Sequence, residues 1–172
     1  MPKLNIKFGL VYTAMEKFMQ PFELAEKAEG WGYDSFWVPD VLIAPRIESM
    51  IALATAARNT SRIKLGTAVL VLPSRHPIQL AKSVLSLDIV SQGRVLLGVG
   101  VGANSAEFNA LGVDVRRRGM ITDEHLDILK KLLTQTKVTH HGRYHSFNNL
   151  TLADGILQGD EVPIYIGCTW AD

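Results

Sequence analysis

The chain has 172 residues, of which 47% are hydrophobic and 20% are charged, so its composition predicts a folded globular protein rather than a disordered one. Its 18 basic and 17 acidic side chains nearly balance without a long run of either sign, so we expect neither a nucleic-acid partner nor a membrane partner. No apolar run is long enough to cross a membrane, and the single cysteine, Cys168, excludes an internal disulfide; both features predict a cytoplasmic protein.

Short apolar runs alternate with amphipathic stretches along the whole chain. Strands are predicted at residues 6–12, 34–40, 63–73, 94–102 and 162–168. Helices are predicted at 20–32, 47–60, 76–91 and 122–135, with Thr122 as the N-cap of the last and with Ile51 and Ile89 on buried faces. A short β-hairpin at 138–150 interrupts the alternation before the fifth strand.

The third, fourth and fifth strands are apolar almost throughout, which is typical of a parallel sheet whose two faces are both covered. The repeating unit is therefore a strand followed by a helix. Two arrangements satisfy this pattern, an open doubly wound sheet or a closed barrel, and periodicity does not separate them.

The glycine-rich run after Gly93 reads GRVLLGVGVGANSAEF. Gly98, Gly100 and Ala103 fit the spacing of a dinucleotide-binding turn, and Asp123 follows about twenty residues later. However, the glycines fall inside the strand pattern and Asp123 opens a helix, so we reject that site. Either these glycines allow close packing of neighbouring backbones, or Gly100 and Gly102 line a ligand at the carboxyl end of the strand, with Gly98 deeper and structural.

Residues 76–129 resemble the central segment of the bacterial luciferase-like monooxygenase family, and the likeness extends from Phe8 to Gly167. In that family a helix ending in Leu-Asp-x-x-Ser-x-Gly-Arg leads into a glycine-rich strand, then Glu-Phe, Arg-Gly and an Asp-Glu helix. The matching residues are Leu87, Asp88, Ser91, Gly93, Arg94, Gly98, Gly100, Gly102, Glu107, Phe108, Gly112, Arg118, Gly119, Asp123 and Glu124.

The resemblance implies a TIM-type (β/α)8 barrel that binds FMN or the deazaflavin coenzyme F420 at the carboxyl ends of its strands. We expect one partial domain over residues 1–172, with about five strand–helix units and the hairpin insertion. The implied cofactor-binding residues are Asp40, Ala68, Val69, Val71, Gly100, Gly102, Ala103, Gly167, Cys168 and Thr169.

The resemblance leaves Asp40 and Glu107 as the candidate catalytic carboxylates. Deazaflavin-dependent dehydrogenases of the family generally carry a histidine after the acid of the second strand, where this chain has Val41. Some also carry a glutamate after the glycines, where this chain has Ala103. Because general acid–base catalysis needs a titratable group within reach, these differences favour monooxygenase or reductase chemistry over alcohol oxidation.

Other polar residues receive structural interpretations. We predict no metal site, because His140, His141 and His145 lie in a strand-like pattern without a completing acid. Asp88 and Arg94 are expected to form an ion pair or to fix a loop. Arg75 and His76, just after the third strand, are expected to contact the polar tail of a ligand.

A complete barrel of this type has about 250 residues, so three strands and the usual phosphate-binding loops are not expected within this chain. We expect a truncated sequence, and the alternatives are a naturally short homo-oligomer or a degenerate binding protein without catalysis. The predicted function is a flavin- or deazaflavin-dependent oxidoreductase acting on a small molecule. The alternative is a non-catalytic half-barrel that oligomerises, or an inactive fragment.

Overall fold

A computed structural model of the protein describes residues 6–13, 19–152 and 161–167. The strands are β1 (Gly9–Val11), β2 (Ser35–Val38), β3 (Lys64–Thr67), β4 (Leu70–Val71), β5 (Val95–Gly100), β6 (Val138–His141), β7 (Ser146–Leu150) and β8 (Ile164–Ile166). The helices are α1 (Pro21–Gly30), α2 (Ser49–Asn59), α3 (Pro77–Ser91), α4 (Ser105–Ala110) and α5 (Arg118–Thr134). The predicted alternation and the hairpin are therefore confirmed, and α4 is an additional short helix.

Six parallel strands form one sheet, in which β1, β2, β3 and β5 are neighbours in that order and β4 and β8 both pair with β5. The predicted third strand is divided into β3 and β4 at the cis peptide bond between Ala68 and Val69. The strands thus follow one another around the sheet in chain order. A doubly wound dinucleotide fold reverses its strand order at a switch point, whereas a (β/α)8 barrel does not, so the order favours the barrel type.

Helices α1, α2 and α3 pack against one another and cover one face of the sheet, where Phe36, Leu53 and Leu65 are fully buried. Two predictions about helix faces are wrong, because Ile51 and Ile89 are 59% and 58% exposed. Each residue advances a helix by about 100°, so Ile51 lies roughly opposite the buried Ser49 and Leu53.

The start of α5 also differs from the prediction. The helix begins at Arg118, and Thr122 lies within it, with its hydroxyl donating to the Arg118 carbonyl at 2.8 Å. A 3-10 turn at Val115–Arg117 precedes the helix, and the Asp114 side chain accepts a hydrogen bond from the backbone N–H of Arg116 there. This upstream turn supplies the start that the sequence pattern assigned to Thr122.

Arg94 stabilises the end of the sheet where the strands begin. Its guanidinium is buried and donates to the carbonyls of Ser91, Ile63 and Ala57 at 2.6, 3.1 and 2.9 Å. The prediction that this arginine fixes loops is confirmed.

Within residues 6–13, 19–152 and 161–167, no helix combines the length and the apolar composition that crossing a membrane requires.

Candidate functional site

Trp37 of β2 occupies the sheet face opposite the buried side chains of Phe36 and Val38, because side chains alternate along a strand. Its indole lies over Gly66 of β3 and Gly9 of β1, where an added Cβ atom would meet the ring at both positions. The indole N–H donates to the Ser35 hydroxyl at 2.8 Å. Glycine is therefore required on the neighbouring strands to make room for this tryptophan.

Tyr165 of β8 completes the aromatic floor, with its ring edge-on to Trp37 at a centroid distance of 5.8 Å. A cavity of about 260 Å³ lies over this floor. It is lined by Gly9, Val11, Trp37, Thr67, Ala68, Val69, Gly98, Tyr165, Ile166 and Gly167. The structure thus brings together three residues of the predicted cofactor wall, Ala68, Val69 and Gly167.

The glycines of β5 are packed closely against the third-strand region. A Cβ at Gly98 would meet the Thr67 carbonyl, and the Thr67 hydroxyl donates to the Gly98 carbonyl at 2.6 Å. A Cβ at Gly100 would lie 2.7 Å from Val69, and one at Gly102 would lie 2.6 Å from Val71. Close packing therefore explains Gly98, and Gly100 and Gly102 are likewise packed closely against the two valines of the predicted wall. Their contact with a cofactor stays a prediction.

Asp40 lies at the carboxyl end of β2 and its side chain is only 10% exposed. Its carboxylate accepts hydrogen bonds from Arg75 at 2.7 and 3.2 Å and from the Ser49 hydroxyl at 3.1 Å. The backbone N–H of Val71 also donates to it, at 3.4 Å. Asp40 therefore connects β4, the start of α2 and the segment after β4 at the rim of the predicted wall.

Arg75 lies between two carboxylates, because its guanidinium also donates to Glu48 at 2.6 Å. Burial would by itself lower the pKa of this guanidinium, but the hydrogen bonds and charges of Asp40 and then Glu48 outweigh that effect, and the pKa is raised. These carboxylates hold Arg75 in place, and its contact with the tail of a ligand stays a prediction.

Glu107 of α4 is buried, at 7% exposure, and its carboxylate accepts hydrogen bonds from the backbone N–H groups of Leu42 and Ile43 at 3.1 and 3.4 Å. It thereby attaches the loop after β2 to the segment after β5. A part in proton transfer for Glu107 stays a prediction.

The remaining predicted residues divide into two groups. Ala103 is exposed in the loop between β5 and α4. Cys168 and Thr169 lie outside the described residues, so their predicted part in the wall is untested. Across the described part of the chain, no three His, Cys, Asp or Glu side chains are grouped so that they could hold a metal ion.

A larger cavity, of about 780 Å³, shares Gly9, Trp37 and Tyr165 with the first and extends towards the opposite end of the strands, where Lys7, Asp34 and Lys64 line it. Parallel α/β proteins bind their ligands at the carboxyl ends of the strands. We therefore assign the candidate site to the smaller apolar cavity and its rim.

Sequence reasoning missed Trp37, Thr67 and Tyr165 as parts of this cavity. The signal that could have found them is the pairing of a large aromatic residue with glycines on the strands beside it. In the observed register, Trp37 is opposite Gly66 and Tyr165 is opposite Gly98. That signal becomes readable only when the register is known.

Known proteins resemble this chain in sequence and in fold. A family model described as luciferase-like monooxygenase matches residues 6–171. The chain is 32% identical, over 174 aligned residues, to an F420-dependent glucose-6-phosphate dehydrogenase of Kineococcus radiotolerans, an alignment that covers 94% of this chain and 50% of that protein.

Two solved structures are similar over nearly the whole chain. Monooxygenase RslO1 from Streptomyces bottropensis superposes with a TM-score of 0.85 at 25% identity, covering 94% of this chain and 53% of that one. The oxygenating constituent of 3,6-diketocamphane monooxygenase from Pseudomonas putida, in complex with FMN, superposes at 0.81 and 23% identity, covering 94% and 51%; this likeness shows the fold alone. The chain spans about half the length of the relatives that it matches.

Proposed function

The chain belongs to the luciferase-like monooxygenase family, and from this premise we propose that it contributes the amino-terminal half of a flavin- or deazaflavin-dependent oxidoreductase site. The ring of FMN or F420 would rest on the apolar surface made by Ala68, Val69 and Gly167. The observation that carries this proposal is the cavity of about 260 Å³ over Trp37 and Tyr165, at the carboxyl side of the sheet.

The residues present fit a planar ring. The walls are largely aromatic, aliphatic or glycine, and of the two hydroxyls among them, those of Thr67 and Tyr165, the first already donates to the Gly98 carbonyl. The described wall is therefore mainly apolar, which suits the face of a planar ring. When bound, the cofactor supplies the redox chemistry, either oxygen activation or hydride transfer, and the protein supplies shape and dryness.

Asp40 is proposed to act at the rim of this surface. Its carboxylate accepts a hydrogen bond from the N–H of Val71, which keeps β4 in place, and Arg75 keeps it from facing the cavity as an isolated charge. Glu107 is proposed to close the loop that carries Leu42 and Ile43 over the same end of the sheet. Because both carboxylates already accept hydrogen bonds from the protein, neither is free to act as the acid or base that alcohol oxidation needs. This favours monooxygenase or reductase chemistry.

Binding of a small-molecule substrate and assembly as a homo-oligomer belong to the same proposal. Apolar side chains that a closed barrel would cover are exposed at the sheet ends, including Val11 at 46% and Ile166 at 68%. Such surface is normally covered by further structure or by another chain. Light scattering tests the oligomer, and a monodisperse folded monomer would rule out the homo-oligomer.

A cytoplasmic location is proposed because the chain has a single cysteine.

Anaerobic titration with FMN, reduced FMN and F420, followed by cofactor fluorescence, tests the proposed function. We expect saturable binding of one of these cofactors. The variant Tyr165→Ala should weaken binding by about tenfold, because it removes an aromatic contact from the cavity. Trp31→Ala, which removes an exposed aromatic ring outside the cavity, is the matched control and should bind as the unaltered protein does. Absence of binding, or equal loss in both variants, would remove the proposal.

A further inference from the structure

Three histidines from three elements meet beside the junction of β4 and α3. His76 precedes α3, His125 is buried in α5, and His145 lies in the turn of the β6–β7 hairpin. The Nε2 atoms of His125 and His145 are 2.9 Å apart, and the ring of His76 lies edge-on to that of His145 at a centroid distance of 4.9 Å. The hairpin turn therefore contacts α5 and the start of α3 through imidazole rings.

The contacts of His125 define its protonation state. Its Nδ1 lies 3.0 Å from the Leu72 carbonyl, and a carbonyl only accepts hydrogen bonds, so Nδ1 carries the proton. In a neutral imidazole Nε2 is then an acceptor, and His145 must donate to it through its own Nε2–H. A second proton on His125 requires His145 to move its own proton to Nδ1 and become the acceptor, and when both rings are charged two N–H groups face each other and the contact breaks.

Glu124 holds the same turn from the other side. Its carboxylate accepts hydrogen bonds from the backbone N–H groups of Arg143, Tyr144 and His145 at 2.7 to 3.0 Å. Burial alone would raise the pKa of this carboxyl, but the three backbone hydrogen bonds outweigh it, and the pKa is lowered. Glu124 thus stays charged under mild acid, and the histidine pair is the contact that acid changes first.

We propose that the contact between His125 and His145 is an acid-sensitive latch, which holds the β6–β7 hairpin against α5 and releases the turn when both imidazoles become charged. A cavity of about 380 Å³ lies under the turn and is lined by Ser74, Arg75, His76 and Leu111. Because Arg75 also binds Asp40, release of the turn acts next to the rim of the candidate site. The inference itself does not depend on the proposed function.

The charged and titratable groups around His125 and His145 have opposing effects on the protonation of the pair. His76, His140 and Arg75 oppose a further positive charge, whereas Glu124 favours one. For His125, burial is the largest influence, and with the charges of His145 and His76 it lowers the pKa from 6.5 to about 4, against the Leu72 hydrogen bond and Glu124. A pKa lowered in the closed state means that closure is complete above pH 6.5 and weakens progressively as the pH falls from 6.5 towards 4.

Hydrogen exchange measured by mass spectrometry at pH 7.5 and pH 5.0, corrected for intrinsic rates, tests the latch. Protection of residues 138–150 should fall roughly thirtyfold at pH 5.0, while protection of α2 stays constant. The factor follows from linkage when the pKa of His125 is 6.5 with the hairpin released and about 4 with the hairpin closed. In His125→Gln the hairpin should lose this pH response. His141→Gln, at an exposed hairpin histidine that contacts Ser146, should keep it.

Equal protection of the hairpin at both pH values in the unaltered protein would overturn the latch, as would an unchanged pH response in His125→Gln. Should that variant fail to fold, an NMR titration of the imidazoles in the unaltered protein decides. We expect a neutral, Nδ1-protonated His125 at pH 7 that titrates below pH 5, together with shifts in the hairpin amides. Titration of His125 near pH 6.5 without hairpin shifts would contradict the proposal.

Discussion

Asp40 and Arg75, 35 residues apart in the chain, are joined by two hydrogen bonds of 2.7 and 3.2 Å at the carboxyl end of the sheet. Both side chains are largely buried, and Glu48 shares the guanidinium. This ion pair connects the end of β2 to the segment after β4, and the cavity assigned to the cofactor is lined by Trp37 of β2 and by Val69, which precedes β4. Its integrity therefore bears on both stability and binding.

Removal of the guanidinium by Arg75→Ala should lower the free energy of unfolding by about 2 kcal/mol, because it leaves the buried carboxylate of Asp40 without its charged partner. Urea denaturation measures the change. Arg116→Ala removes an arginine that is 88% exposed and pairs with Asp114, and it should cost less than about 0.5 kcal/mol. Equal losses in the two variants would show that the ion pair between Asp40 and Arg75 contributes no more to the free energy of unfolding than an exposed pair does.

Gly98→Ala should destabilise the protein by about 2 kcal/mol or more, since its Cβ would meet the Thr67 carbonyl and the two strands would have to separate. Thermal unfolding followed by circular dichroism is the measurement. Gly119→Ala in α5 meets nothing within 4 Å, so it should leave stability unchanged or raise it by up to about 1 kcal/mol. A well-tolerated alanine at residue 98 would mean that β3 and β5 are not packed as described.

Glu107→Ala should increase proteolytic cleavage in the loop at residues 41–47, because the N–H groups of Leu42 and Ile43 lose their acceptor. Glu107→Gln keeps an acceptor oxygen and should largely restore protection. Asp123→Ala, at an exposed helical acid, serves as the control in limited proteolysis. If the alanine variant were cleaved no faster than the control, Glu107 would not be what holds the loop.

Glu29 should contribute to acid sensitivity. Burial alone would raise the pKa of its carboxyl, but hydrogen bonds from the N–H groups of Ile63, Arg62 and Ser61 outweigh burial and lower it. A lowered pKa means that its stabilising contribution is complete above the ordinary value of 4.5 and is lost as the pH falls through the lowered value. Urea midpoints between pH 7 and pH 3 should therefore change less in Glu29→Gln than in the unaltered protein; parallel curves would exclude this contribution.

The alternation of strands and helices could be predicted from the sequence because apolar periodicity is local, and the strands of the parallel sheet and the hairpin follow from it. Contacts between distant residues could not be predicted. Trp37 fits over Gly9 and Gly66 only in the register that the folded sheet adopts, and the loop at Leu42 depends on a carboxylate 65 residues away. Thr122 shows a further limit, because its local sequence is typical of an N-cap but the helix begins upstream of it, after the turn at Val115–Arg117.

NMR chemical-shift mapping with FMN and with F420 tests the central claim most directly, because it locates the cofactor on the chain. We predict that shifts concentrate at Ala68, Val69, Gly100 and Gly167. Shifts concentrated at Lys7, Asp34 and Lys64, in the larger cavity at the amino ends of the strands, or no shifts at saturating cofactor, would contradict the account.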